Sequence, residues 1–251
     1  MSASPLAFSI VIPAHNEEDN IEVTVRALLA EFSREHIEDF EVLVINDNSR
    51  DGTEDAVRRL VEQEEKVRLV NNAPPHGFGF AVRCGLANFR GESVCIVMAD
   101  LSDCPADVVA YYHRIKAGAE CVFGSRFIKG SRVVDYPRFK LMVNRLANLF
   151  IRSVFRLPFN DITNAFKCYR REVIAGIQPL ISPHFNLTVE MPLKAIVRGY
   201  SYEVMPISWT DRKTGESKLK LKEMGSRYLF IVLYVLMEKM LSRGDYSRLR
   251  T

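Results

Sequence analysis

Early in the chain, four short apolar runs rich in β-branched residues each end in a loop of Asn, Asp, Gly and Pro, and stretches of helical spacing separate them. No other feature restricts the fold more. The runs are Phe8 to Ile12, Glu41 to Ile45, Val67 to Val70 and Val94 to Met98, with a fifth at Cys121 to Phe123; helices are expected near Glu18 to Phe32 and Gly79 to Phe89. Strands alternating with helices make a mostly parallel central sheet with helices on both faces, an α/β fold. In such sheets ligands bind beyond the carboxyl ends of the strands. Attention therefore falls on IPAHNEE, INDNSRDGT, NNAPPHGFGFA and MADLSD.

A chain of 251 residues, 47% hydrophobic and 26% charged, can build one large core. We divide it into a main α/β domain over 1–220 and an amphipathic helical extension over 221–251. The net charge of +3 is too small to argue for nucleic acid, which is excluded as a partner. Five cysteines without a CxxC pair point away from disulfides and structural zinc. With no signal-like start in residues 1–20, a cytoplasmic protein is expected. The longest uncharged apolar run, Tyr228 to Met237, has ten residues, about half of the ~20 a bilayer span requires, which leaves a buried or an interfacial helix.

Between Arg138 and Arg156, apolar and basic residues alternate at helical spacing. Arg138, Arg145, Arg152 and Arg156 fall on one face, opposite a surface of Phe, Leu and Ile. Such a face is either solvated or set against anionic lipid.

The loops carry the chemistry. Asn16, Glu17, Glu18 and Asp19 suit a helix start. Asn46 to Thr53 offers amides and carboxylates to a base or ribose. The run His76 to Ala81 brings glycines close together without the spacing of a phosphate-binding fingerprint. In VMADLSD, Asp100 ends a buried strand with Ser102 and Asp103 behind it, an oxygen set suited to a hard divalent cation against a diphosphate.

In order and content IPAHNEEDNI, VINDNSRDGT, HGFGFAVRCGL, VMADLSDCP, VFGSRF, DITNAFKCYRREV and DRKTGESKL resemble the family 2 glycosyltransferases. Within them the likeness is to dolichol-phosphate mannosyltransferase and its polyprenyl-phosphate relatives. The resemblance implies a GT-A nucleotide-binding fold and an inverting transfer of hexose from a GDP-mannose or UDP-glucose type donor to a polyprenyl phosphate. It implies that Pro13, His15, Glu17 and Asp47 line the nucleotide pocket, that Asp100 and Ser102 hold Mg²⁺ or Mn²⁺, and that Arg126 lies near the diphosphate or acceptor. Arg212, Ser217 and Lys218 match an RxxGxSK element that faces phosphates, the cations stabilising the departing diphosphate. A peripheral place on the inner face of a membrane is expected, with or without an anchoring subunit there.

The chain departs from the family at two positions. Met98 replaces the first acid of the usual Asp-x-Asp, which puts metal dependence in question, and Asn46 replaces the first acid after the second strand. A phosphate acceptor is already an anion and needs no strong base; a hydroxyl acceptor would need one, with Asp103 and Asp161 the candidates. Thr163, Asn164 and Lys167 fall in the same acceptor-side segment as Asp161, and Glu190 reads equally as a ligand or a buried structural carboxylate. The alternatives are a transferase acting on hydroxyl acceptors and a degenerate protein that binds nucleotide sugar without turnover. A membrane-surface adaptor ranks last, because it leaves the acidic loops without a purpose.

Overall fold

The computed structural model describes residues 6–211, 221–242 and 244–248, without the side chains of 221–224. In chain order the elements are β1 (Phe8–Ala14), α1 (Ile21–Arg34), β2 (Phe40–Asn46), α2 (Thr53–Gln63), β3 (Val67–Asn71), α3 (Phe78–Asn88), β4 (Ser93–Ile96), α4 (Pro105–Lys116) and β5 (Cys121–Ser125). There follow β6 (Arg132–Val134), α5 (Arg138–Phe155), β7 (Lys167–Arg170), α6 (Arg171–Gly176), α7 (Leu187–Val197), β8 (Glu203–Pro206), β9 (Ser208–Thr210) and α8 (Leu221–Leu241). All five expected strands and the four expected helical stretches form, with ends shifted by a few residues.

Seven strands make one sheet in the order β3-β2-β1-β4-β7-β5-β8, and β6 pairs with β9 in a small second sheet. Only β7 runs against its neighbours. Every residue of β1, β2 and β4 is buried, as a sheet covered on both faces requires. Side chains alternate between two cores: Ile10 and Ile12 meet α1, α2 and α4, while Val11 meets α3 and the later helices. At ~25 cal/mol per Å² of apolar surface, burial on this scale is the main term holding the layers together.

At the C-terminus, α8 buries Ile231, Val232 and Val235 against the core that α7 lines. Arg198, 3% exposed at its side chain, makes a two-pronged ion pair with Glu238 at 2.8 and 2.9 Å. One side of α8 is thus built into the fold, while Leu229, Phe230, Leu233, Met237, Met240 and Leu241 are exposed. Among the described residues no helix is long and apolar enough to cross a membrane.

The α5 helix corrects one expectation. Its inner stripe is Asn148, Ile151 and Phe155, whereas Phe139, Met142, Leu146, Leu149 and Phe150 are 47–65% exposed. The arginine face therefore borders an apolar stripe that is itself uncovered. Helical spacing revealed the two stripes but not which of them meets the core.

Candidate active site

The carboxyl ends of β1, β2 and β4 converge, and their loops are fastened to one another before any ligand is considered. After β1, Asn16 N donates to Ser49 Oγ (3.0 Å), Glu17 N to Thr53 Oγ1 (2.8 Å) and Glu18 N to Asp51 Oδ2 (3.2 Å). In return Arg50 N donates to Asn16 Oδ1 and Gly52 N to Glu18 Oε2. The polar run after β1 thus zips onto the β2 loop, and α1 begins only at Ile21. Pro13 has no N–H to extend a ladder, and the β1–β4 register ends at Val11 opposite Ile96.

His15 and Asp47 form the centre of this edge. The His15 Nδ1 lies 2.7 Å from the Asp47 carbonyl, which only accepts, so that nitrogen carries the proton. The Asp47 carboxylate is 6% exposed and takes Gly77 N (2.8 Å), Asn72 Nδ2 (2.8 Å) and His76 Nδ1 (3.1 Å). The family resemblance implies a place for Asp47 in a nucleotide pocket; the contacts seen here are those of a carboxylate that holds the β3–α3 loop in shape.

Asn46 supplies the reason for its own departure from the family pattern. Its Nδ2 donates to Glu54 Oε2 (3.1 Å) and Asn71 Oδ1 (2.8 Å), and its Oδ1 accepts from Ser49 N (3.2 Å). A carboxylate there would face Glu54 with like charge and no proton to share.

The glycines of the third loop admit the chain itself. A Cβ on Gly79 would overlap the Ser182 carbonyl oxygen, and one on Gly77 would meet Pro183 and His184 at 2.8 Å. Gly79 N donates to Pro183 O (3.1 Å), and Phe78 stacks on Phe185 at 4.2 Å. Glu190 holds the same segment from below through Ile181 N (2.9 Å) and Ser182 N (2.8 Å), paired with a fully buried Lys194 at 2.8 Å. Glu190 is thereby a satisfied structural carboxylate.

In the fourth loop Asp100 is half-buried and its Oδ1 accepts from Ser102 N (3.1 Å). Between them Leu101 has φ 55, the left-handed region that side chains resist at roughly 1–2 kcal/mol. Such strain gathers at functional sites. Buried Ser102 fastens the loop to β9 by accepting Thr210 N on its carbonyl (3.2 Å). Asp103, 2% exposed, accepts Met98 N at 3.0 Å, and burial pushes its carboxyl up to about 7. Among the described residues no group of three or more His, Cys, Asp or Glu could hold a metal ion. A hard cation needs only one or two protein carboxylates when substrate phosphates complete its shell, so Asp100 fits a cation that arrives with a diphosphate.

Beside this loop Arg126 forks onto Asp161. Its Nε and Nη2 reach the two carboxylate oxygens at 2.9 and 2.8 Å, and its main-chain N donates at 2.9 Å; the two side chains are 8% and 0% exposed. The rings of Phe127, Tyr136 and Trp209 surround the guanidinium at 5.3–5.7 Å. Arg126 is thus largely engaged by Asp161, and Arg145 covers the Phe127 ring at 4.5 Å. Beneath, fully buried Lys167 donates to the carbonyls of Ile162 (2.9 Å), Asn164 and Thr188 (3.3 Å), and burial brings its ammonium down to about 7.

The structure thus brings Pro13, His15, Glu17, Asp47, Asp100, Ser102, Asp103 and Arg126 to one end of the sheet. Arg212, Ser217 and Lys218 lie outside the described residues, just after Asp211. Sequence reading missed Asn144 and Asn148, which hold Thr163 beside Asp161, and Trp209, which lies against Arg126. Two asparagines four apart on an otherwise amphipathic helix were the available signal.

The chain is similar to known proteins along most of its length. The model of "Glycosyl transferase family 2" matches residues 9–177. Polyprenol monophosphomannose synthase of Mycolicibacterium smegmatis is 30% identical over 216 residues, 84% of this chain and 80% of that protein. Undecaprenyl-phosphate mannosyltransferase of Micrococcus luteus is 28% identical over 216 residues, 83% and 86% of the two chains. The crystal structure of glucosyl-3-phosphoglycerate synthase from Mycobacterium tuberculosis with Mn²⁺, uridine diphosphate and phosphoglyceric acid superposes with a TM-score of 0.67 at 19% identity. It covers 93% of this chain and 78% of that one, a likeness of fold.

Proposed function

The chain belongs to glycosyl transferase family 2 and has the GT-A fold, and from that premise we propose that it transfers a hexose from a nucleotide sugar to a polyprenyl phosphate at a membrane surface. The observation that carries the acceptor is the join between site and surface. Helix α5, which shows a bare apolar stripe beside Arg138, Arg145, Arg152 and Arg156, is hydrogen-bonded on its inner face to the Asp161 segment. Neighbouring α8 exposes a second apolar stripe and is tied to the C-terminus of α5 by Lys239, whose Nζ reaches the Phe155 carbonyl at 3.4 Å. Apolar stripes bordered by arginine suit an anionic bilayer interface. On this reading the enzyme works on the cytoplasmic face, alone or with an anchoring subunit.

In the reaction a phosphate oxygen of the acceptor attacks the anomeric carbon, the bond from that carbon to the diphosphate breaks, and configuration inverts. The acceptor is already ionised, so no protein base has to take a proton. Pro13, His15, Glu17 and Asp47 frame the nucleotide, the last by fixing the loops around it. Asp100 would hold a divalent cation, Mg²⁺ or Mn²⁺, together with the Ser102 segment; when bound, it supplies positive charge against the leaving diphosphate. Arg212 and Lys218 add cations to that same charge, with Ser217 as a phosphate contact. Asp103 keeps the Met98–Asp100 backbone in place. Met98 supplies no oxygen, so cation affinity depends on the substrate's own phosphates.

The test is transfer of label from GDP- and UDP-sugars to short polyprenyl phosphates with Mg²⁺, Mn²⁺ or EDTA. One donor giving lipid-linked label, lost with EDTA, is expected. Label on soluble sugars alone would move the acceptor to a hydroxyl, and binding without product would indicate a nucleotide-sugar-binding protein.

A further inference from the structure

A polar cluster joins the lipid-side helix to the reaction centre. Asn148, 2% exposed on the inner face of α5, donates from Nδ2 to Thr163 Oγ1 (2.9 Å) and accepts Thr163 N on Oδ1 (3.2 Å). One turn earlier Asn144 Nδ2 donates to the same hydroxyl at 2.8 Å, and Asn148 Nδ2 also reaches Asn144 Oδ1 at 2.9 Å. The Thr163 oxygen thus accepts two amide donors at once, its full capacity. Asn residues are poor inside helices, so two on the inward side of one helix, Asn148 buried and Asn144 half-buried, indicate a specific partner.

The turn that carries Thr163 is held on its other sides as well. Thr188 Oγ1 of α7 donates to Thr163 O (3.2 Å), Asn164 Nδ2 donates to Gly124 O (3.1 Å), and Lys167 takes the carbonyls of Ile162 and Asn164. Two residues before Thr163 is Asp161, which fixes Arg126; Trp209, the chain's single tryptophan, lies over that guanidinium. From α5 to Trp209 there is an unbroken run of hydrogen bonds, one two-residue turn and one ring contact.

We infer that Asn144, Asn148 and Thr163 form a latch that positions the Asp161–Arg126 pair relative to the bilayer-facing helix, so that lipid engagement at α5 sets the acceptor side of the site. Asn148 and Thr163 are positioning residues that act through Asp161. The inference rests on the reading of α5 as the lipid side. Errors of an ångström in such positioning cost roughly a hundredfold in rate. The latch therefore governs the acceptor's kcat and KM and leaves nucleotide affinity alone.

The experiment compares wild type, Thr163→Val and Thr163→Ser on vesicles of phosphatidylcholine and phosphatidylglycerol, with and without a polyprenyl phosphate. Co-sedimentation, Trp209 emission, nucleotide affinity and transfer kinetics are read below each variant's unfolding temperature. Wild type is expected to sediment with vesicles and to shift its Trp209 emission as it does so. T163V should sediment equally, lose the emission shift and lose ten- to a hundredfold in kcat/KM for the lipid acceptor, with nucleotide affinity within about twofold. T163S, which keeps the oxygen, should retain most of both. An emission shift that survives T163V, or a fall in nucleotide affinity matching the fall in acceptor kinetics, overturns the latch. Absence of sedimentation in wild type overturns the lipid-side reading and the coupling with it, whereas sedimentation and emission shift without any lipid product overturn only the acceptor assignment.

Discussion

The two regions that the proposed function separates, a donor edge at the ends of β1 and β2 and an acceptor side at Asp161 and Arg126, spend their polar groups differently. At the donor edge, the loops after β1 and β2 bind each other through long-range bonds among Asn16, Glu18, Ser49 and Asp51, and the carboxylates of Glu18 and Asp51 remain exposed or half-buried beside a buried Asp47. On the acceptor side the charges are fully buried: Asp161, Arg126 and Lys167 sit beneath α5 with 0–8% of their side chains or residues exposed. A ligand can complete the donor edge, because water still reaches it. The acceptor side is already complete, which suits a group that must hold one geometry while a lipid arrives from outside.

The largest expected effect breaks the acceptor side. Asp161→Asn leaves the Arg126 guanidinium buried against a neutral amide, which should cost about 3–5 kcal/mol in urea unfolding and more than a hundredfold in transfer. Pairing Asp161→Leu with Arg126→Met should recover most of the stability and none of the activity, separating the two roles.

Lys167 gives the same contrast a pH dependence. Its folded value of about 7 lies below the ordinary 10.5, so between those values the unfolded chain holds a proton that the folded chain has released. Its contribution to stability is full above about 10.5 and is lost as pH falls through about 7. The stability difference between wild type and Lys167→Met should therefore change with pH by up to ~1.4 kcal/mol per unit over this window, in wild type's favour as pH rises. A difference that stays flat from pH 7 to 9 would remove the buried ammonium from the account.

A smaller effect tests the donor loop. Gly79→Ala gains ~1 kcal/mol of helix propensity but drives a methyl into the Ser182 carbonyl, an overlap worth typically 1–3 kcal/mol, so a net lowering of the melting temperature is expected. An unchanged or raised value would show that the segment 181–186 moves aside readily.

Smallest in stability is the surface change. Leu146→Glu with Phe150→Glu alters only exposed positions of α5 and should leave unfolding within about 0.5 kcal/mol, while vesicle co-sedimentation falls sharply. Full vesicle binding by this variant would take the bilayer off α5.

Much of the donor edge was legible because its signals are local. Runs such as Phe8 to Ile12 declare strands by β-branching, and the residues just after them are the site in any doubly wound sheet. What the loops do with those residues was less legible. The glycines at 77 and 79 matched no phosphate-binding spacing, and nothing local showed that they make room for Pro183 and His184, more than a hundred residues on. Asn46 read as a lost acid until Glu54 appeared beside it. The two stripes of α5 were visible in spacing, but spacing is symmetric with respect to which one faces in; packing of Ile151 and Phe155 against the second core decided it.

By itself the sequence determined the parallel sheet, the end of it where the polar loops gather, and the family, since these rest on periodicity and on short motifs whose parts are neighbours in the chain. The tertiary structure alone decided that Asp161 belongs to Arg126, that Thr163 belongs to Asn144 and Asn148, and that an apolar face of α5 stays bare. Each of those facts depends on which distant groups share a desolvated space, where an unpaired charge or amide is costly, and no local pattern records such company.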